Sequence, residues 1–330
     1  MKRRIGELEV SAIGLGCMNL SHAYGVPPDF EDAKALLLHA LDSGVTHFDT
    51  AALYGFGANE DLLGKVLAPH REQIFLASKC GMTGVDGKRV IDGRPATLKR
   101  TCDEALKRLQ TDVIDLYYLH RCDKNVPIEE SIGALSELVD AGKIKSVGLS
   151  EVSAETLRKA NAVHPIAAVQ TEYSLWTRNA EIAVLEACRE LDIAFVAFSP
   201  LGRGFLANAM PSPESIETYD AKDLRRNMPR FQAEHWPKNI ALLKEYLTIV
   251  NDAACTPVQL ALAWMLSRNE HILPIPGTTN IAHMEENISA VDINLPADII
   301  SRVEKLINQD TVSGSRYNAA TQAEIDTEEF

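Results

Sequence analysis

Eight short apolar runs recur along this chain, each followed by a stretch with helical spacing, and this alternation constrains the fold more than any other feature. After SAIGLGCM come VTHFDT, IFLASK, VIDLYYLH, KSVGLS, IAAVQTEY, IAFVAFSP and HILPIPG. The runs are continuously apolar rather than alternately polar, the pattern of parallel strands covered on both faces. The polar residues that close them lie near positions 16, 49, 79, 120, 150, 170, 199 and 276. Most steps therefore hold one strand, one helix and two loops. Eight such units match a (β/α)8 TIM barrel. The alternative, a doubly wound open sheet, should show a complete glycine fingerprint after its first strand. Gly55-Phe56-Gly57-Ala58-Asn59-Glu60 lacks the third glycine and reads as an ordinary loop with Asn59 as a helix N-cap.

The intervening helices can be counted from their apolar stripes. Ala33, Leu36, Leu37, Ala40 and Leu41 share one face, and Gly44 ends that helix; Leu98, Cys102, Ala105, Leu106 and Leu109 repeat the pattern, as do Ile132, Leu135, Leu138 and Val139. Ser153-x-x-Thr156 predicts an N-cap, and residues 180–191 and 257–267 supply further helices. A barrel of about 250 residues leaves a surplus from a chain of 330. That surplus falls in the segments 80–96 and 201–238, read as rim loops where the strands end, and in a tail over 292–330. The glycine-rich 80–96 segment reads as mobile. One domain is expected, with its barrel over about 5–291.

A formal net charge of −13 repels phosphate backbones and anionic membranes, so neither nucleic acid nor membrane is expected as a partner. The six cysteines show no C-x-x-C spacing and no metal-ligand cluster stands out, so no metal is expected. MKRRIGELEV is basic, but no apolar segment follows it, and a cytoplasmic location is expected.

If the chain is a barrel, side chains at the strand ends converge on one mouth. They are Asp49, Lys79, His120, Ser150, Gln170 and Ser199, with Tyr54 five residues past Asp49. Singly, each has a packing explanation; together they are chemically complementary. An ammonium stabilises a nearby phenolate, so Lys79 is expected to lower the pKa of Tyr54, while Asp49 keeps a buried Lys79 charged. His120 can orient and polarise a carbonyl oxygen. Cys80 reads as a buried, inert thiol. The set lacks a reductant or a nucleophile, unless the chain is a cofactor-free barrel lyase that uses Lys79 as a Schiff-base nucleophile.

The stretches GLGCM (14–18), DTAALYGFGANEDLLGK (49–65), DLYYLH (115–120), VGLSE (147–151), QTEYSLWTR (170–178), FSPLGRGFL (198–206) and IPGTTNIAHMEENI (275–288) resemble the aldo-keto reductases, in the branch with a Gly-x-Arg-Tyr tail, here 314–317. The resemblance implies a reductase of small carbonyl compounds using NADPH, with NADH possible. It makes Tyr54 the general acid, supported by Asp49, Lys79 and His120. It places the nicotinamide carboxamide on Ser150 and Gln170, the nicotinamide face on Phe198, and the pyrophosphate on Ser199, Leu201 and Arg203. Gly277, Thr278, His283, Glu286 and Asn287 take the adenosine end. Three positions depart from the pattern. Glu151 replaces a frequent Asn, Phe198 replaces a Tyr, and Thr279-Asn280 stands where a basic residue often meets the 2′-phosphate. Trp176, Trp236, Trp264, Arg316 and Tyr317 are expected either to line the substrate pocket or to pack. The family also includes channel-associated barrels with little turnover, which makes a cofactor-binding regulatory subunit the alternative. Oligomeric state is left open.

Overall fold

A computed structural model describes residues 1–330 apart from His22, Asp86, 210–215 and Thr218. All eight apolar runs are strands of one parallel sheet. They are β3 (Leu15–Gly16), β4 (His47–Asp49), β5 (Phe75–Cys80), β8 (Ile114–Leu119), β9 (Ile144–Ser150), β10 (Ile166–Glu172), β11 (Ala194–Phe198) and β12 (Ile272–Pro274), hydrogen-bonded in chain order. The sheet curls. Its first and last strands are joined by backbone hydrogen bonds rather than a continuous ladder, from Gly14 N–H to the Pro274 carbonyl (3.0 Å) and from Gly16 N–H to the Pro276 carbonyl (3.3 Å). A Cβ on Gly16 would sit 2.8 Å from the Ile275 carbonyl oxygen, so this approach requires glycine.

Helices α1 (Phe30–Asp42), α2 (Ala58–Leu67), α3 (Pro95–Leu109), α4 (Ile128–Asp140), α5 (Ala154–Val163), α6 (Val184–Glu190), α8 (Pro257–Arg268) and α9 (Ile281–Ser289) follow successive strands of that sheet. An additional α7 (Trp236–Asp252) precedes α8, and α10 (Ala297–Leu306) and α11 (Ala319–Gln322) belong to the tail. The counted stripes face the sheet: Leu36, Leu37, Leu98, Cys102, Ile132 and Leu135 are all buried in the shell between helices and strands. Ser153 caps α5 as expected, accepting from Thr156 N–H at 3.2 Å.

Three local features differ from the sequence reading. Two short strands, β1 (Lys2–Ile5) and β2 (Leu8–Ser11), form an antiparallel hairpin. Ile5 and Val10 insert among Phe75, Leu116, Tyr118, Ala168 and Leu273, closing the end of the sheet where its strands begin. The segment expected to be a mobile loop carries a second antiparallel hairpin, β6 (Met82–Val85) with β7 (Lys88–Ile91). Asn59 is not an N-cap: Gly57 occupies that place, and Asn59 is buried inside α2, bonded to Thr50 Oγ1 (2.6 Å) and the Cys17 carbonyl (2.8 Å). Part of the 201–238 rim loop, at 210–215 and Thr218, lies outside the described residues.

Candidate active site

Strand alternation decides which strand-end side chains meet. In β5, Phe75 and Ala77 face inward and Leu76 packs against the helices, so parity turns Lys79 inward. In β8, Tyr118 faces inward between Tyr117 and Leu119, which places His120 on the inner face. Phe48 packs outward, leaving Asp49 inside; Leu149 and Val169 do the same for Ser150 and Gln170.

The result is a cluster around a buried ammonium. Lys79, fully buried, donates from Nζ to Asp49 Oδ1, to the Thr50 carbonyl (2.9 Å) and to the Tyr54 hydroxyl (3.3 Å). Gln170 Nε2 donates to the other Asp49 oxygen at 2.7 Å. Tyr54 is brought back over the strand ends by a turn in which Gly55, Phe56 and Gly57 all adopt positive φ, at 58°, 52° and 98°. Two glycines make that run accessible. The rings of Tyr54 and His120 meet edge-on with centroids 5.9 Å apart.

Burial would depress the Lys79 ammonium, but Asp49 and then Tyr54 more than reverse it, and its pKa lies above the ordinary lysine value. A protonated amine has no lone pair for a Schiff base, so the lyase reading loses its nucleophile. For Tyr54 the balance differs from the expectation. Burial pushes the phenol up, the Lys79 ammonium pulls it down, and the net direction is upward. Tyr54 is therefore held in its protonated, acid form, with a cation in place for the phenolate.

This cluster opens into a cavity of about 1250 Å³. Asp49, Tyr54, His120, Ser150 and Gln170 line it, as do Phe198, Ser199, Leu201 and Arg203 after β11, and Gly277, Thr278, His283, Glu286 and Asn287 after β12. Every residue expected from the sequence to act in catalysis or to hold the cofactor, Lys79 excepted, thus borders one space, and Lys79 is bonded to two of them, Asp49 and Tyr54.

The surroundings assign roles that the sequence left open. The Arg203 guanidinium, expected on a phosphate, is buried and donates to Glu172 Oε2 (2.6 Å) and the Tyr317 hydroxyl (3.1 Å), so its charge is already balanced. Asn280 caps α9, accepting from His283 N–H at 3.1 Å, and Thr278 Oγ1 accepts from Asn280 N–H at 3.1 Å. Glu151 turns away from the cavity and forms a buried ion pair with Arg316. Its carbonyl accepts from Asp326 N–H (3.1 Å), and the Asp326 carboxylate accepts from the Ser153 and Thr156 hydroxyls (2.9 and 2.6 Å). These contacts clasp the tail across the mouth, where Tyr317, Asn318 and Thr321 join the lining. The tryptophans pack: Trp176 stacks on Phe205 with centroids 4.1 Å apart, and Trp236 and Trp264 are core residues. Cys80 is fully buried, and burial raises its thiol well above the ordinary range. Sequence reasoning missed Arg121, which borders the cavity beside His120; its position one residue past a strand-end histidine was the available signal.

The sequence profile of the aldo/keto reductase family matches residues 12–308. Among solved structures, the chain is similar to a glycerol dehydrogenase from Gluconobacter oxydans, with 26% identity, 96% of this chain and 98% of that one covered, and a TM-score of 0.85. It is similar also to an aldo-keto reductase from Bacillus halodurans, solved in its holo form, with 27% identity, coverage of 96% and 98%, and a TM-score of 0.77. A thermostable aldo-keto reductase in complex with the inhibitor epalrestat gives 28% identity, coverage of 93% and 99%, and a TM-score of 0.73.

Proposed function

The chain belongs to the aldo/keto reductase family, and from that premise we propose that it reduces aldehydes or ketones to alcohols with NADPH or NADH, using Tyr54 as proton donor. The observation that carries the reading is the Asp49–Lys79–Tyr54 cluster, opening with His120 onto a cavity large enough for a dinucleotide and a small substrate. In this reading the curled sheet is one closed barrel domain.

A bound nicotinamide cofactor supplies a hydride. The residues present fit it: Gln170 spends its amide N–H₂ on Asp49 and keeps its carbonyl oxygen for a carboxamide N–H. Ser150 offers a hydroxyl beside it, Phe198 an aromatic face, and Ser199, Thr278 and Asn287 polar groups along the rim. Arg203 reaches this rim already neutralised by Glu172, so phosphate binding would draw on Ser199, backbone N–H groups and the N-terminal end of α9. Among the described residues no Lys or Arg lies in the Gly277–Asn287 segment. NADPH therefore rests on the family resemblance, and NADH stays within the proposal.

The chain's own part is proton management. His120 orients the carbonyl oxygen toward Tyr54. The Tyr54 hydroxyl gives its proton to that oxygen, and the Lys79 ammonium, 3.3 Å away, stabilises the phenolate left behind. Asp49 keeps Lys79 charged throughout. Purified protein should oxidise NADPH or NADH, followed by loss of nicotinamide absorbance, on addition of an aldehyde from a broad panel. Failure with both cofactors over the whole panel refutes the reading.

A further inference from the structure

Most cations that border the cavity already have a carboxylate. Arg89 is bonded to Glu324 (2.6 and 2.5 Å), Arg203 to Glu172 (2.6 Å) and Arg225 to Asp223 (2.7 Å); Lys222 is exposed on the outer loop. Arg121 is different. It borders the cavity in the gap between the ends of β8 and β9, and no carboxylate lies within 4.0 Å of it among the described residues. Its Nη1 donates to the His120 carbonyl (2.7 Å) and the Ser150 hydroxyl (3.3 Å). Neither Nε nor Nη2, the remaining edge of the fork, has a partner among the described residues, and Nε is buried.

From this geometry we propose that Arg121 selects carbonyl substrates that also carry an oxyanion, a carboxylate or a phosphate. The proposal rests on the reductase reading and adds the substrate class. The Nη2 of Arg121, unpartnered among the described residues and not buried, can give a charge-assisted hydrogen bond to a carboxylate or phosphate oxygen. Two anchors on neighbouring strand ends hold it in place, so little ordering is needed when an anion arrives. The position is suited to selection, because Arg121 follows His120 directly and its charge is felt at Tyr54. An oxyanion there leaves the carbonyl at the Tyr54–His120 end. In a chain of net charge −13, such a cation beside the reacting groups is a local exception that draws anions in.

The test compares matched aldehydes: 4-carboxybenzaldehyde against benzaldehyde, and glyceraldehyde 3-phosphate against glyceraldehyde. The wild type should favour the charged member of at least one pair by about 10- to 100-fold in kcat/KM, chiefly through KM. A preference in one pair alone identifies the oxyanion. In Arg121→Met that ratio should fall toward one, with Arg121→Lys keeping part of it. No preference in either pair, or a ratio unchanged in Arg121→Met, overturns the proposal. Calorimetry with 4-(hydroxymethyl)benzoate against benzyl alcohol, in the presence of NADP⁺, reads the same selection without turnover. Arg121-dependent carboxylate binding with no turnover of any aldehyde upholds the anion site and refutes the reductase; carboxylate binding no tighter than the neutral alcohol overturns the anion site.

Discussion

Replacing Asp49 with Asn tests the electrostatics of the site most directly. Among the described residues Asp49 is the one carboxylate bonded to Lys79, and its second oxygen accepts from Gln170 at 2.7 Å. Asn is nearly isosteric and can still accept from one neighbour, but it leaves a fully buried ammonium without its counter-charge. Breaking a buried pair in this way costs about 3–5 kcal/mol. Asp49 is the largest influence raising the Lys79 pKa above the ordinary 10.5, so without it the burial that opposes the charge dominates and the pKa falls below that value. Two opposed trends follow. Carbonyl reduction should survive at acid pH and decline as pH rises through the lowered Lys79 pKa, because a neutral amine no longer stabilises the Tyr54 phenolate. Stability should move the other way. Between the lowered folded pKa and 10.5 the unfolded chain binds more protons than the folded one, so unfolding becomes harder with rising pH. The assays are a pH–rate profile and the melting temperature of Asp49→Asn relative to wild type from pH 5.5 to 9.5. Profiles parallel to wild type in both measurements would refute the claim that Asp49 maintains the charge on Lys79.

Three further outcomes are expected. Tyr54→Phe removes the donated proton and should lower kcat by about 10²- to 10⁴-fold while a fluorescence titration with NADPH changes little; loss of cofactor binding as well would make Tyr54 a packing residue. Glu151→Gln leaves Arg316 as a buried cation at a cost of about 3–5 kcal/mol, and hydrogen exchange should rise in residues 313–330 while the strands stay protected. His47 is fully buried, and burial lowers its pKa from 6.5 to about 4. The unfolded chain therefore takes up that proton first, and stability worth up to about 3 kcal/mol is lost as pH falls from 6.5 toward 4. In denaturant titrations, His47→Phe should flatten this acid slope; an unchanged slope assigns it elsewhere.

The chain's own pattern determined the sheet and the identity of the central cluster, because both follow from local rules. Continuous apolar runs separated by helical stripes allow little besides a parallel sheet wrapped by helices. Strand parity then turns Lys79, His120, Ser150 and Gln170 to the same face, and Asp49 with them. The two hairpins were less legible, since β1 and β2 together span only residues 2–11 and β6 and β7 are four residues each and mostly exposed. A short pair of strands of that kind has no periodicity long enough to read.

What only the tertiary structure decided is where each charge finds its partner. Arg203 and Glu172, Arg316 and Glu151, and Arg89 and Glu324 are separated by 31, 165 and 235 residues, and nothing in a local pattern selects such pairs. The same holds for the net direction of the Tyr54 pKa: sequence supplies the cation that lowers it, but the burial that outweighs that cation exists only once the chain has folded around it. Arg121 shows the converse. Its charge is plain in the sequence, and its lack of a counter-charge among the described residues becomes visible only when the partners of Arg89, Arg203 and Arg225 have been seen.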